Sequence, residues 1–320
     1  MPDSTPTTNL LSSAASHQQA SFSARFRQYL AERFPLAAYV PLIGVAAFCA
    51  AAWSSSASGA ALPPALTLVV GAATALAFFF VLRVADEHKD AEQDRRARPE
   101  LPVPRGLVTL RELRTVAAAV GMAVLVVNAL VAPRLLYALV PAVLWAGLMA
   151  REFFVPEWLR ARPLPYLLSH MLVMPLLFAY LTGLDWLARR GEAPPVLPLF
   201  LVVAFLNGIL VEIGRKVRAP ADERPGVDTY TSAWGTRRAP AAWLAALLVA
   251  AVVAPFAAGY AGADEIVLPL AGVLAAAAAV PALRFLRRPA PASARQIELA
   301  SGLWTLASYL LLGISPLIAR

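Results

Sequence analysis

Charged side chains are scarce in this chain, and their scarcity excludes most classes of soluble protein. Only 15% of the 320 residues are Asp, Glu, Lys or Arg, whereas 59% are hydrophobic and the mean hydropathy is +0.63. A soluble domain carries about 25% charged residues, so the composition indicates an integral membrane protein. Cysteine is nearly absent too. The single Cys49 cannot form an intrachain disulfide, and no second thiol is present for cysteine-based metal or redox chemistry.

Acidic residues are outnumbered by basic ones, with 20 Asp and Glu against 28 Lys and Arg, for a net charge of +8. In a soluble protein this balance would suggest a nucleic-acid partner. In a membrane protein it is typical of basic cytoplasmic loops that face anionic lipid. We therefore expect the lipid bilayer, and no nucleic acid, to be the partner of the basic surface.

Long apolar segments predict an all-α integral membrane fold. Residues 1–24 have the polar composition of a disordered tail, and residues 25–35 mix aromatic and arginine side chains, as in a helix lying on the membrane surface. Residues 36–320 should then form a bundle of nine transmembrane helices, because each apolar segment is near the ~20 residues needed to cross a bilayer. These segments are 36–53, 62–82, 116–133, 135–150, 164–184, 195–214, 240–260, 265–283 and 297–318.

The basic residues also predict the orientation of the bundle. Of the 28 Lys and Arg residues, 24 lie before the first span or in every second loop thereafter. Since cytoplasmic loops are enriched in basic residues, the N-terminus should lie in the cytoplasm and the C-terminus outside the inner (cytoplasmic) membrane. Spans two and six both end in polar clusters on the cytoplasmic side. This spacing favours two four-helix repeats followed by a ninth helix.

The first polar cluster, called here the first acidic motif (residues 86–94), follows the second span directly. If the helix continues, Arg83 and four acids share a stripe about 100° wide, and these acids are Asp86, Glu87, Asp90 and Asp94. The stripe lacks matching bases at i+4, so its acids should repel one another unless a cation lies among them. Oxygen ligands without histidine or cysteine suit Mg²⁺, which takes a few carboxylates and the phosphate oxygens of a substrate.

The second polar cluster, called here the second charged loop (residues 212–230), follows the sixth span. Glu212, Arg215 and Lys216 share one helix face, and a turn-rich segment then adds Arg218, Asp222, Glu223, Asp228 and Tyr230. With both clusters on the cytoplasmic side, we expect a clamp in which Mg²⁺ bridges carboxylates to a diphosphate. Arginine and lysine would neutralise the remaining oxygens, and an apolar chain on that diphosphate would lie among the helices.

Both clusters resemble motifs of the UbiA superfamily of intramembrane prenyltransferases. The first is carried by Asp86-Glu87-x-x-Asp90-x-x-x-Asp94 followed by Pro102-Val-Pro-Arg105-Gly106, and the second, weaker one runs into Gly226-Val-Asp228-Thr229. The resemblance implies that Glu87, Asp90 and Asp94 bind Mg²⁺, with Asp86 in the place of the usual Asn. Asp222 matches the later acid of the second motif, but Arg218 stands where the earlier acid is expected. Either Glu212 or Asp228 supplies that carboxylate, or the loop binds diphosphate through its bases.

The resemblance implies a Mg²⁺-dependent enzyme that ionises a polyprenyl diphosphate and transfers the prenyl chain to an aromatic or other lipophilic acceptor. The catalytic candidates are Asp90, Asp94, Glu212 and Lys216. The candidates for substrate binding are Arg83, Arg105, Arg215, Arg218, Glu152, His170 and Tyr230. Two alternatives are a membrane terpene cyclase, which needs no acceptor, and a transporter with a cation site, which would place acids near mid-span rather than at helix ends.

Overall fold

The computed structural model describes residues 21–189 and 191–319, in which all regular secondary structure is helical and no strand occurs. The tail predicted for residues 1–24 therefore lies almost wholly outside the described residues. The described residues form thirteen α-helices: α1 Phe22–Arg33, α2 Leu36–Ala57, α3 Ala65–Lys89, α4 Ala91–Ala97, α5 Leu110–Val131, α6 Leu136–Ala150, α7 Pro156–Arg160, α8 Pro163–Met171, α9 Val173–Arg189, α10 Leu197–Arg215, α11 Tyr230–Gly259, α12 Asp264–Arg287 and α13 Pro291–Ile318.

Nine helical segments of the described chain are long and apolar enough to cross a membrane. They confirm the predicted all-α fold and the number of spans. The fifth segment consists of α8 and α9, and the fourth is α6 with the short 3₁₀ turn Pro133–Leu135 before it. Several helices run beyond the apolar stretches, because each added residue gains a backbone hydrogen bond even where its side chain is polar. The two-repeat organisation stays a prediction.

The described chain divides into two compact units. Among the described residues, the first unit comprises 21–41 and 76–124, and the second comprises 42–75, 125–189 and 191–319. In the first unit, α1 contributes Tyr29 to a buried core that also contains Phe34 and Phe80. The ring centroids of Phe34 and Phe80 lie 5.8 Å apart, edge to face. The apolar face of α1 thus packs on protein, and its predicted contact with the membrane surface remains a prediction.

In the second unit, buried polar side chains tie the spans together. Trp243 on α11 donates its indole N–H to the Leu210 carbonyl of α10 at 3.0 Å and to Ser301 Oγ of α13 at 2.9 Å. Asn207 on α10 donates to Ser308 Oγ at 2.9 Å. A Cβ atom on Gly214 would collide with Ser301, so this glycine permits α13 to approach α10 closely. The end of α10, which begins the second charged loop, is therefore held by its neighbours.

Candidate functional site

The first acidic motif begins on α3 and continues past a local break at Asp90. The backbone of Asp90 has φ −92° and ψ 2°, which separates α3 from the short helix α4. Helical hydrogen bonds nevertheless cross the break, since Asp90 N donates to Asp86 O at 2.9 Å and Asp94 N donates to Asp90 O at 2.8 Å. The acids at 86, 90 and 94 therefore keep the i, i+4 order that the sequence predicted.

The four acids of the motif differ strongly in exposure. The side chains of Glu87 and Asp94 are only 1% and 3% exposed. Asp86 is exposed, and Asp90 is half-buried. Asp86 is therefore the most accessible acid of the motif and Asp90 is partly accessible, whereas Glu87 and Asp94 lie inside the first unit.

Both buried acids of the motif are paired with arginine. Arg33 Nε lies 2.6 Å from Glu87 Oε1, and Arg98 Nη2 lies 2.6 Å from Asp94 Oδ1. Buried carboxylates need such partners, because an isolated buried charge is strongly unfavourable. The prediction that the stripe lacks bases at i+4 was wrong for Asp94, since Arg98 stands four residues later. The partner of Glu87 comes from α1, which no spacing within the motif could reveal.

Arg105, which the sequence assigned to substrate binding, is engaged by α1. Its guanidinium donates to both carboxylate oxygens of Glu32, at 2.7 and 2.9 Å, and to the Glu100 carbonyl at 2.8 Å. The hydrogen bond from Arg105 holds the pKa of Glu32 below its usual value. The role of Arg105 in substrate binding stays a prediction. In the structure, Arg105 holds the loop after the motif against α1.

Tyr29 of α1 is fully buried in the same unit, and its hydroxyl has no hydrogen-bond partner in the described structure. Burial raises the pKa of Tyr29 well above its usual value, and the nearby Glu87 carboxylate adds to this effect. The phenol is therefore neutral at physiological pH. Arg83, half-buried one turn before the acids, partly offsets this shift through its positive charge.

The first acidic motif offers carboxylate oxygens, which are the type of ligand that Mg²⁺ prefers. In the described residues, no three His, Cys, Asp or Glu side chains are gathered closely enough to hold a metal ion by themselves. Mg²⁺ seldom needs such a group, because it is usually bound through one or two carboxylates, water and the phosphates of a substrate. Asp86 and Asp90 offer only oxygen ligands and are the more accessible acids of the motif. The residues present therefore fit the chemistry of this ion.

In the second unit, Glu212 lies at the end of α10 with its carboxylate buried and paired twice. Lys216 Nζ lies 2.9 Å from Glu212 Oε1, and Arg215 Nε lies 2.6 Å from Glu212 Oε2. Glu212 is 5% exposed, whereas the side chains of Lys216 and Arg215 are 27% and 50% exposed. The cationic ends of this cluster are thus far more accessible than the acid that holds them.

Aromatic rings surround Lys216. Its Nζ lies 5.7 Å from the ring centroid of Tyr166 and 5.8 Å from that of Tyr230. Tyr166 stacks on His170 with 3.9 Å between centroids, and Tyr230 contacts Trp234 at 4.7 Å. Three residues that the sequence singled out separately, Lys216, His170 and Tyr230, are therefore brought together around Tyr166. A cation in this position is stabilised by the ring faces.

The tautomer of His170 follows from its hydrogen bonds. Nδ1 lies 2.9 Å from the Tyr166 carbonyl oxygen, which can only accept, so Nδ1 carries the proton and donates it. In the neutral ring the lone pair is then on Nε2. The ring also meets Phe153 edge to face, with centroids 5.9 Å apart. His170 is thus fixed in orientation by both a hydrogen bond and two aromatic neighbours.

Phe153 belongs to a strained turn that the sequence did not indicate. Glu152, Phe153 and Phe154 all have positive φ angles, of 46°, 53° and 61°. Non-glycine residues in this left-handed region cost about 1–2 kcal/mol each, and such strain is concentrated at functional sites. The turn places Phe153 against His170 and buries Glu152, whose Oε2 lies 3.7 Å from Arg160 Nε.

Glu223 orders the second charged loop, a role that sequence reasoning missed. The hydroxyls of Thr229 and Thr231 each lie 2.7 Å from a Glu223 carboxylate oxygen. The Thr231 hydroxyl also accepts the backbone N–H of Arg218 at 2.9 Å. Thr229 in turn caps α11, since its Oγ1 accepts the backbone N–H of Ser232 at 2.9 Å. The Thr-x-Thr spacing could have indicated that two hydroxyls share one hydrogen-bond acceptor. Only the folded loop shows that this acceptor is Glu223.

The remaining charged residues of the second charged loop lie near its surface. Asp222 and Asp228 are exposed, and Arg218 Nη1 lies 3.7 Å from Glu298 of α13. The predicted site residues of the first unit are Arg83, Asp86, Glu87, Asp90, Asp94 and Arg105. Those of the second unit are Glu152, His170, Glu212, Arg215, Lys216, Arg218, Asp222, Asp228 and Tyr230.

Comparison with known proteins connects this arrangement to one family. The model of the UbiA prenyltransferase family matches residues 42–306, which include both charged clusters. None of the curated proteins compared with the chain matches it. A solved structure described as a digeranylgeranylglyceryl phosphate synthase in membranes has a similar fold, with a TM-score of 0.63 and 14% sequence identity over 92% of this chain and 99% of that chain. The chain therefore belongs to the UbiA prenyltransferase family and is an integral membrane transferase of prenyl groups.

Proposed function

We propose that the chain is a Mg²⁺-dependent enzyme that ionises a polyprenyl diphosphate and transfers its prenyl chain to an aromatic or other lipophilic acceptor. The observation that carries this proposal is the place of both charged clusters, each at the end of a membrane-spanning helix within the family match. A substrate with a charged head and a long apolar tail has the same division of polarity. A water-soluble substrate would use the charged clusters but not the apolar helices beside them.

The metal would be held by the first acidic motif, through Asp86 and Asp90. Asp94 would support them from the interior together with Arg98. In the second charged loop, Glu212, Asp222 and Asp228 are the proposed metal-binding carboxylates. When bound, Mg²⁺ supplies positive charge that stabilises the departing diphosphate.

The bases of the second charged loop would bind the diphosphate oxygens. Arg215 and Lys216 are both held by Glu212, but their side chains are partly exposed, so they could donate to phosphate oxygens as the allylic C–O bond breaks. Donors fixed in advance stabilise this developing charge without first having to reorganise. We also propose that Arg83 and Arg218 bind diphosphate oxygens.

The aromatic cluster around Lys216 would serve the prenyl cation and the acceptor. The faces of Tyr166 and Tyr230 stabilise positive charge. His170, with its lone pair on Nε2, could accept the proton that the acceptor loses when its new bond to the prenyl carbon forms. Glu152, buried in the strained turn, would help to orient the acceptor.

We further propose that both clusters lie on the cytoplasmic side of the inner membrane, with the N-terminus in the cytoplasm and the C-terminus outside. Basic residues on one side of the nine spans support this orientation. Cysteine-accessibility labelling would test it, because cysteines at exposed positions 99 and 264 should react from opposite sides.

A product assay tests the function directly. Purified protein would be given a panel of prenyl diphosphates with and without candidate acceptors and Mg²⁺, followed by measurement of pyrophosphate and mass spectrometry of the products. We expect a prenylated acceptor only when both partners and Mg²⁺ are present. A cyclic hydrocarbon formed without acceptor would instead identify a terpene cyclase. Asp90→Asn should abolish pyrophosphate release, whereas the matched change Glu100→Gln, at an exposed acid outside the motif, should leave it intact.

A further inference from the structure

Helix α1 lies outside the residues that match the family, yet it contacts the first acidic motif and the loop that follows. Arg25 forms a bidentate ion pair with Glu112, at 2.6 and 3.3 Å, and Glu32 pairs with Arg105. Arg33, the last residue of the helix, forms the third ion pair, with Glu87. One of these pairs comes from the first turn of α1 and two come from its last turn, so the helix is fixed at both ends.

Apolar contacts fix the same face of the helix. Phe26 meets Phe80 edge to face at 6.1 Å, and Phe34 stacks on Tyr39 at 4.2 Å. Tyr29, between these residues, is fully buried. The position of Arg33 is therefore set by the packing of the first unit and is not a chance arrangement of a surface side chain. As the last residue of a helix, Arg33 also lies where the helix dipole favours a cation.

The ion pair leaves Glu87 little freedom to bind a metal. Its carboxylate is 1% exposed, Arg33 is 16% exposed, and their nitrogen and oxygen atoms are 2.6 Å apart. A metal ion on Glu87 would have to displace the guanidinium and leave it buried without a counter-charge, which is strongly unfavourable. Asp86, the residue before Glu87, is exposed and has no such restriction.

We propose that Arg33 is a positioning residue of the first acidic motif, which holds Glu87 in a buried ion pair so that Glu87 supports the motif without binding the metal. This inference rests on the proposed function, because it concerns the Mg²⁺ site. It assigns metal binding to Asp86 and Asp90, and it makes α1 a part of the catalytic unit although the family match does not include this helix.

The ion pair is tested with full-length wild type, Arg33→Gln, Glu87→Gln and the double variant. Each single change leaves one buried charge without its partner and should lower the Tm, whereas the neutral double variant should recover most of the loss. Arg27→Gln, on the exposed face of the same helix, is the matched control and should unfold like wild type. Single variants as stable as wild type would overturn the proposal. If Arg33→Gln does not fold, Arg33→Lys and the double variant complete the test.

Binding of Mg²⁺ in the presence of inorganic pyrophosphate then decides the role of Glu87. We expect the double variant to bind within about threefold of wild type and Asp90→Asn to bind about tenfold or more weakly, as expected for a lost ligand. If the double variant falls to the level of Asp90→Asn, Glu87 is a ligand and the inference is wrong, although the proposed function survives. If wild type binds no Mg²⁺ under these conditions, the proposed function fails and the inference fails with it.

Discussion

Replacing Glu212 with Gln tests the second charged loop most sharply, because the change keeps the shape of the side chain and removes its charge. The carboxylate accepts from Lys216 at 2.9 Å and from Arg215 Nε at 2.6 Å. Breaking a fully buried pair costs about 3–5 kcal/mol, but both bases are partly exposed and can be hydrated once released. We therefore expect Glu212→Gln to lower the free energy of unfolding by about 2 kcal/mol.

The effect on catalysis should be larger than the effect on stability. If Glu212 holds Arg215 and Lys216 against the diphosphate, both donors lose their fixed positions in the variant. Loss of one preorganised donor reduces turnover by about 10²–10³-fold in comparable sites. We expect kcat/KM for the prenyl diphosphate to fall by about 10²-fold, which corresponds to about 2.7 kcal/mol of transition-state stabilisation.

The assay combines pyrophosphate release with equilibrium unfolding of the purified protein in mixed micelles. Glu298→Gln is the matched control, since this acid is 49% exposed and its contact with Arg218 is 3.7 Å long. An exposed pair of this kind contributes about 0–1 kcal/mol, and its loss should leave kcat/KM unchanged. Wild-type activity and stability in Glu212→Gln would refute the reasoning. If Asp228→Asn is the damaging change instead, Asp228 supplies the missing carboxylate of the second motif.

Three further changes test other parts of the structure. Asp94→Asn should abolish pyrophosphate release and lower the free energy of unfolding by about 2 kcal/mol, because Arg98 loses its buried partner; wild-type turnover would contradict this. Gly214→Ala should destabilise the protein by about 1–3 kcal/mol in the same unfolding assay, since its new Cβ meets α13, whereas Gly121→Ala has open space and should not destabilise. Glu223→Gln should weaken the hydrogen bonds that order residues 217–229 and speed their amide hydrogen exchange, and unchanged exchange would exclude this role.

The spans could be predicted from the sequence because membrane crossing depends on a property that is local in the chain. A segment such as residues 195–214 is apolar enough by itself to identify a span, and the structure has α10 at Leu197–Arg215. Helix ends were less predictable. The seventh span was expected from residue 240, but α11 begins at Tyr230. Its polar first turn is stabilised by the Thr229 capping box rather than by lipid, and a kink at Gly235, with φ 87° and ψ 162°, separates this turn from the apolar part of the helix.

The chemistry of the site was only partly predictable, because the partners of its acids come from different distances along the chain. The pairing of Glu212 with Lys216 follows from their i, i+4 spacing and could be read from the sequence. The pairing of Glu87 with Arg33 crosses 54 positions and depends on how α1 packs. The strained turn at Phe153 gave no signal at all, because positive φ angles are expected at glycine and none stands there.

Two buried acids of the predicted site, Glu212 and Glu87, have partners of unequal exposure, and this difference suggests what each pair can do when a substrate arrives. Around Glu212, half of the Arg215 side chain and about a quarter of Lys216 are exposed, so both bases can turn toward a diphosphate while still touching their acid. Arg33 beside Glu87 is 16% exposed and lacks this freedom. Changes at Glu212 should therefore alter diphosphate binding directly. Changes at Arg33 should act through the fold, because a diphosphate could reach its guanidinium only by opening the core of the first unit.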